Sequence, residues 1–134
     1  MKTFAYLFLL LVCSADCITG IPAAETNVPP DILLGMSTVL SGPTANLGTD
    51  VRAGVLAGLE RVNRTGGVQG RRLRLIALDD GYEPARTAPN MRQLIEKENV
   101  LAVIGNVGTP TGVAAIPIAN ELKTLFLRRS PAPA

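Results

Sequence analysis

The sequence predicts an α/β fold, an open parallel sheet with helices on both faces, and three observations carry that prediction. Apolar runs suited to strands alternate with helix-like segments three times before a last strand. The first of them, Ile32 to Met36, lacks polar alternation, as expected of a strand covered on both faces. The 134-residue chain is 47% hydrophobic but only 4% aromatic, a composition that suits layers packed from Val, Leu, Ile and Ala. At this length a single domain is expected.

Residues 1–24 are set apart as a secretory signal peptide. Lys2 gives a positive start, Phe4 to Val12 is apolar and uncharged, and small and polar residues follow. The apolar stretch is too short for a permanent transmembrane helix. Ala15, Gly20 and Ala24 each suit cleavage, and the expected product is periplasmic or secreted, peripheral to a membrane at most. Both cysteines, Cys13 and Cys17, fall in this segment, and Val12 and Asp16 precede them where a lipoprotein signal needs a small residue. Cleavage after Gly20 or Ala24 leaves no cysteine and therefore no disulfide.

Residues 25–31 form an extended leader, because Pro29 and Pro30 cannot join a strand ladder. Residues 32–127 hold the folded part. Ile32 to Met36 is the first strand, and the Ser-, Gly- and Pro-rich stretch after it is expected to be a loop. From Asp50 to Arg64, Val51, Val55, Leu59 and Val62 recur at helical spacing, with Thr49 or Asp50 as cap and Gly66-Gly67 as terminator. Arg72 to Asp80 is the second strand, its entrance marked by the basic pair Arg71-Arg72. The second helix runs to Asn99 with Pro84 in its first turn, an interior Pro89, and a stripe of Ala88, Met91, Leu94 and Ile95. Val100 to Gly105 is the third strand. A helix from Thr109 or Pro110 to about Leu122, bent at Pro117, follows, and Thr124 to Leu127 is the last strand.

In such sheets ligands bind beyond the carboxyl ends of the strands, where strand order reverses. With the first strand central, that point lies between the loops "SGPTANLG" and "NVGTP". Stronger chemistries fail there. No Gly-x-x-x-x-Gly-Lys run exists, the glycines at 105, 108 and 112 do not match a dinucleotide fingerprint, and Gly-x-Ser-x-Gly is absent. The chain has no His, so the commonest general base is missing. Asp79 and Asp80 lack partner ligands and are assigned to a turn and a helix cap. Asn63-Arg64-Thr65 fits a glycosylation acceptor, a pattern common by chance. A net charge of +2 without a basic run gives no sign of nucleic-acid binding. No catalytic set, metal site or cofactor site emerges. What remains is a helix start, whose free N–H groups and partial positive charge suit an anion such as a carboxylate.

The stretches "LSGPTANLGTDVRAGVLAGLERVNRTGGVQGRRLRLIALDDGYEP" and "VIGNVGTPT" resemble the leucine/isoleucine/valine-binding family, the type I periplasmic solute-binding proteins of ABC importers. The resemblance implies most of the N-terminal lobe of a two-lobed clamp that closes on an amino acid. It implies ligand-carboxylate contacts from Val107, Gly108 and Thr109, and a side-chain contact from Leu47, where relatives often carry an aromatic. It also implies a small-molecule ligand and an ABC permease partner. The tail, residues 128–134, departs from the family pattern and is expected to be aberrant or truncated. A ligand-sensing receptor domain of the same fold, and an enzyme with an unrecognised site, are the alternatives.

Overall fold

The computed structural model describes residues 30–128. The signal segment, most of the leader and residues 129–134 of the tail lie outside them. Four strands, β1 (Ile32–Thr38), β2 (Leu73–Asp79), β3 (Ala102–Ile104) and β4 (Leu125–Leu127), alternate with three helices, α1 (Ala45–Arg64), α2 (Pro84–Arg92) and α3 (Thr109–Glu121). All strand pairings are parallel, in the order β2-β1-β3-β4. β1 is therefore interior, with β2 on one side and β3 on the other. The loops that leave β1 and β3 lead to helices on opposite faces, the strand-order reversal at which α/β sheets bind ligands.

Alternation along the strands serves two layers. Leu33, Ile76, Leu78, Val103 and Phe126 pack on one face against Met91, Leu94, Ala115 and Ala119. The opposite face carries α1, where Val51 and Val55 approach Gly105 beside Met36. The two layers are unequal. α2 and α3 pack on each other as well as on the sheet, whereas α1 lies alone and only Gly48 of it is fully buried. The Val51, Val55, Leu59 and Val62 stripe is half-buried at best, and Leu125 and Leu127 remain 59% and 54% exposed.

α1 starts at Ala45, five residues before the expected Asp50, so part of the predicted loop is helix. Neither Thr49 nor Asp50 caps it. Thr44 holds the cap position without a side-chain bond, and the Thr49 hydroxyl donates to the Asn46 carbonyl at 3.0 Å inside the helix. The extra turn is possible because of Gly48. A Cβ there would lie 1.8 Å from the Val39 carbonyl oxygen, so the helix approaches the exit of β1 at backbone distance.

The other end of α1 follows expectation. Gly67 N–H donates to the Val62 carbonyl and Gly66 N–H to that of Asn63, which satisfies the last turn. Asn63 ties this end of α1 to β2: its carboxamide accepts from Leu73 N–H at 2.7 Å and donates to the Leu73 carbonyl at 2.9 Å. Arg71 donates to the Pro30 carbonyl at 2.7 Å and so ties down the approach to β1.

The second helix is not continuous to Asn99. α2 gives way to a π-helical turn, Gln93–Lys97, which still leaves Met91 and Leu94 buried in the core. β3 pairs only over three residues, although its flanks extend the ladder. Leu101 N–H donates to the Leu33 carbonyl at 2.8 Å and Gly105 N–H to that of Leu127 at 3.1 Å.

Candidate functional site

Three loops meet at the carboxyl end of the sheet, and hydrogen bonds between side chain and backbone fix two of them. In the β3–α3 loop the buried Thr111 hydroxyl donates to the Val107 carbonyl at 2.5 Å and lies 3.1 Å from that of Gly108, which also accepts from Gly112 N–H. Both carbonyls are thereby turned toward α3. A trans peptide holds its N–H opposite its C=O, and no cis bond occurs among the described residues. The N–H groups of Gly108 and Thr109 therefore face away from α3. Among the described residues neither has a hydrogen-bond partner, as expected of the first turn of a helix.

Gly108 is the cap residue of α3 and adopts φ +100°, which favours glycine. It has no side chain to cap with. Thr109 is the first helical residue and is exposed. Val107 is half-buried beside them. Leu47 lies in the first turn of α1, not in a loop, and is 46% exposed, one turn before Val51. Val107, Gly108 and Thr109 are thus adjacent on one loop, while Leu47 reaches the same end of the sheet from α1.

Asp79 and Asp80 hold the expected turn, each accepting an N–H from two residues on, but not the expected cap. Neither caps α2, whose cap residue is Glu83 and carries no side-chain cap bond. Asp79 instead joins two loops. Its carboxylate accepts from Leu40 N–H at 2.8 Å and from the Ser41 hydroxyl at 2.5 Å across the β1–α1 loop, and from Gly81 N–H at 2.9 Å in its own turn. The Arg86 guanidinium lies 3.2 Å away. The Ser41 bond, opposed by partial burial and reinforced by the Leu40 and Gly81 N–H groups and by Arg86, holds the Asp79 carboxyl well below the usual carboxylate range.

Asp80 is fully buried. It accepts from the Ser37 hydroxyl at 3.0 Å, the Thr87 hydroxyl at 3.1 Å and Tyr82 N–H at 3.0 Å. Thr38 and Asn106, which end β1 and follow β3, are also buried, and the Thr38 hydroxyl and both ends of the Asn106 carboxamide lack a partner among the described residues.

The pull on Asp79 has a consequence for acid stability. Its folded value lies below the ordinary 3.8 of the unfolded chain, so its stabilisation is complete above that value and is lost as pH falls through it toward the depressed folded value. Urea midpoints measured at pH 6 and pH 3 are expected to fall further for the wild type than for Asp79→Asn. Equal falls would contradict the assignment.

The residues at this end of the sheet suit binding by neutral donors. Among the described residues no group of three or more His, Cys, Asp or Glu side chains is placed to hold a metal, and no helix there is long and apolar enough to cross a membrane. Sequence reasoning missed Thr111, although a threonine four residues after Val107 at a helix start is placed to bond backward. It also missed Asp79 as a fastener between loops, which its neighbours in sequence do not betray.

The profile of the family described as periplasmic binding protein matches residues 31–133. An amino acid binding protein of Pseudomonas aeruginosa is 22% identical over 107 residues, 80% of this chain and 29% of that protein. The Leu/Ile/Val-binding protein homolog 3 of Brucella melitensis is 33% identical over 69% of this chain and 24% of its own length. Among solved structures, a possible leucine/isoleucine/valine-binding protein from Rhodopirellula baltica is 52% identical with a TM-score of 0.72, covering 78% of this chain and 28% of that one. A leucine binding protein from Thermotoga maritima is 28% identical with a TM-score of 0.66, covering 72% and 27%. The chain spans less than a third of the length of these relatives. With the sheet order, these similarities place the chain in the periplasmic binding protein family, where it corresponds to most of the N-terminal lobe of the type I fold.

Proposed function

We propose that this chain supplies the first-lobe half of an amino-acid site in an exported receptor that delivers its ligand to an ABC permease. The observation that carries this reading is the outward direction of the Gly108 and Thr109 N–H groups, set by Thr111 behind them. Two such donors at the positive end of α3 match a carboxylate and need no basic side chain. The Thr109 hydroxyl adds a third donor, Val107 lines the same loop, and Leu47 offers apolar contact from α1. Relatives named for binding leucine, isoleucine and valine support an amino acid as the ligand class.

A single lobe leaves the carboxylate open to water. Each neutral hydrogen bond then contributes only about 0.5–1.5 kcal/mol net. The isolated chain is expected to bind L-leucine in the millimolar range at best, about −4 kcal/mol. An amide NMR titration checks this. Shifts centred on Val107, Gly108 and Thr109 are expected; micromolar affinity, or shifts confined to another face, would overturn the site.

Export is the second part of the proposal. Lys2 and the apolar run from Phe4 to Val12 support it. N-terminal sequencing of exported material is expected to begin after Gly20 or Ala24. A product found only in the cytosol and retaining Met1 would contradict it.

A further inference from the structure

Tyr82 stands in a backbone conformation that an aromatic residue rarely adopts. Its φ is 70°, in the left-handed region, within the turn between β2 and α2. Strain of this kind persists only where the surroundings impose it, and it concentrates at binding and catalytic sites. Two contacts impose it here. The buried Asp80 carboxylate accepts Tyr82 N–H at 3.0 Å, and Asp80 is itself held by Ser37 and Thr87. At the other end the ring lies against Gly108: a Cβ built on Gly108 would fall 2.8 Å from Cε2 and 2.9 Å from Cζ of Tyr82. Gly108 is therefore needed on two grounds, its φ and the ring above it.

The Tyr82 ring thus packs on the residue whose N–H is proposed to take the ligand carboxylate. We infer that Tyr82 is a specificity-determining residue of the amino-acid site, its ring walling the part of the ligand next to the carboxylate. The inference rests on the proposed carboxylate site. Leu47 is aliphatic and half exposed, so Tyr82 supplies the aromatic surface from the β2–α2 turn. The ligand class it fits is a small carboxylate with an apolar body close to the head group. Tyr82 is half-buried, so part of it stays available to a ligand, and the part already packed on Gly108 keeps it from swinging away.

The chain has no tryptophan and only two tyrosines, Tyr6 and Tyr82. In a Tyr6→Phe chain, tyrosine fluorescence reports on Tyr82 alone, while the amides of residues 107–109 report on the carboxylate site. Titration with L-leucine is expected to change both signals with one midpoint. Tyr82→Ala is expected to raise the dissociation constant about fivefold through lost apolar contact, and Tyr82→Phe to leave it within about twofold, since the ring and not the hydroxyl makes the wall. Tyr82→Gly guards against a folding defect. It loses the ring but relieves the left-handed strain, so its thermal midpoint is expected above that of Tyr82→Ala while its leucine affinity is equally weak. Amide shifts at 107–109 with unchanged affinity in Tyr82→Ala and Tyr82→Gly would overturn the role of Tyr82 and leave the carboxylate site standing. Absence of those amide shifts in every protein, the wild type included, would overturn the site itself and the inference with it.

Discussion

Gly48→Ala is expected to destabilise the lobe by about 3 kcal/mol or more, the upper range for overpacking. The added methyl would sit 1.8 Å from the Val39 carbonyl oxygen and 2.7 Å from its carbon. Those are backbone atoms, so no rotamer change makes room. Either the first turn of α1 unwinds or the exit of β1 moves, and both disturb the loop that Asp79 holds through Leu40 and Ser41. Gly54→Ala is the control: it lies in the same helix, and a Cβ there meets nothing within 4 Å. There the better helix propensity of alanine is expected to raise stability by up to about 1 kcal/mol. Chemical denaturation of both variants checks the pair. A Gly48→Ala protein as stable as the wild type would mean that α1 does not dock on Val39.

The second large effect is at Asp80. Asp80→Ala removes a buried carboxylate and leaves the Ser37 and Thr87 hydroxyls and Tyr82 N–H without their shared acceptor. Hydrogen bonds to charged groups are worth more than neutral ones, and donors left unpaired in the interior add a penalty, so a loss of about 3 kcal/mol is expected. Asp80→Asn keeps one acceptor oxygen and the shape, and it is expected to lose less than half as much. The helix-cap role assigned from the sequence gives a smaller figure, about 1 kcal/mol for Ala. Urea unfolding of both variants separates the two accounts, because capping leaves little difference between them beyond that value.

The fold was legible because its signals are collective. Ile32 to Met36, Arg72 to Asp80 and the run into Gly105 are apolar enough to read as buried strands, and Gly66-Gly67 marks a helix end whatever surrounds it. The boundaries that failed depended on contacts distant in sequence. Nothing between Thr44 and Asp50 announces a helix until Gly48 is seen against Val39. The π-helical turn at Gln93–Lys97 likewise leaves no mark on the spacing of Met91 and Leu94.

The candidate site divides in the same way. Gly108 and Thr109 stood out from a strand, glycine and helix start in succession, and from the family resemblance. Asp79, Thr111 and Tyr82 did not, because each acts on a loop through atoms that only the fold brings near. An acidic pair after a strand looks like a turn, and only the distances to Leu40 and Ser41 reveal that one member ties two loops together.

The central claim is that Gly108 and Thr109 hold the ligand carboxylate. Its most direct test is calorimetry on this lobe grafted onto the hinge and second lobe of a Leu/Ile/Val-binding relative. Closure then excludes water, and the same donors act on a desolvated carboxylate. The graft is expected to bind an amino acid far more tightly than the isolated chain, and Thr109→Val in the graft to weaken it about tenfold, the worth of one hydrogen bond of about 1.4 kcal/mol. A graft that binds with full affinity and is indifferent to Thr109→Val would contradict the claim.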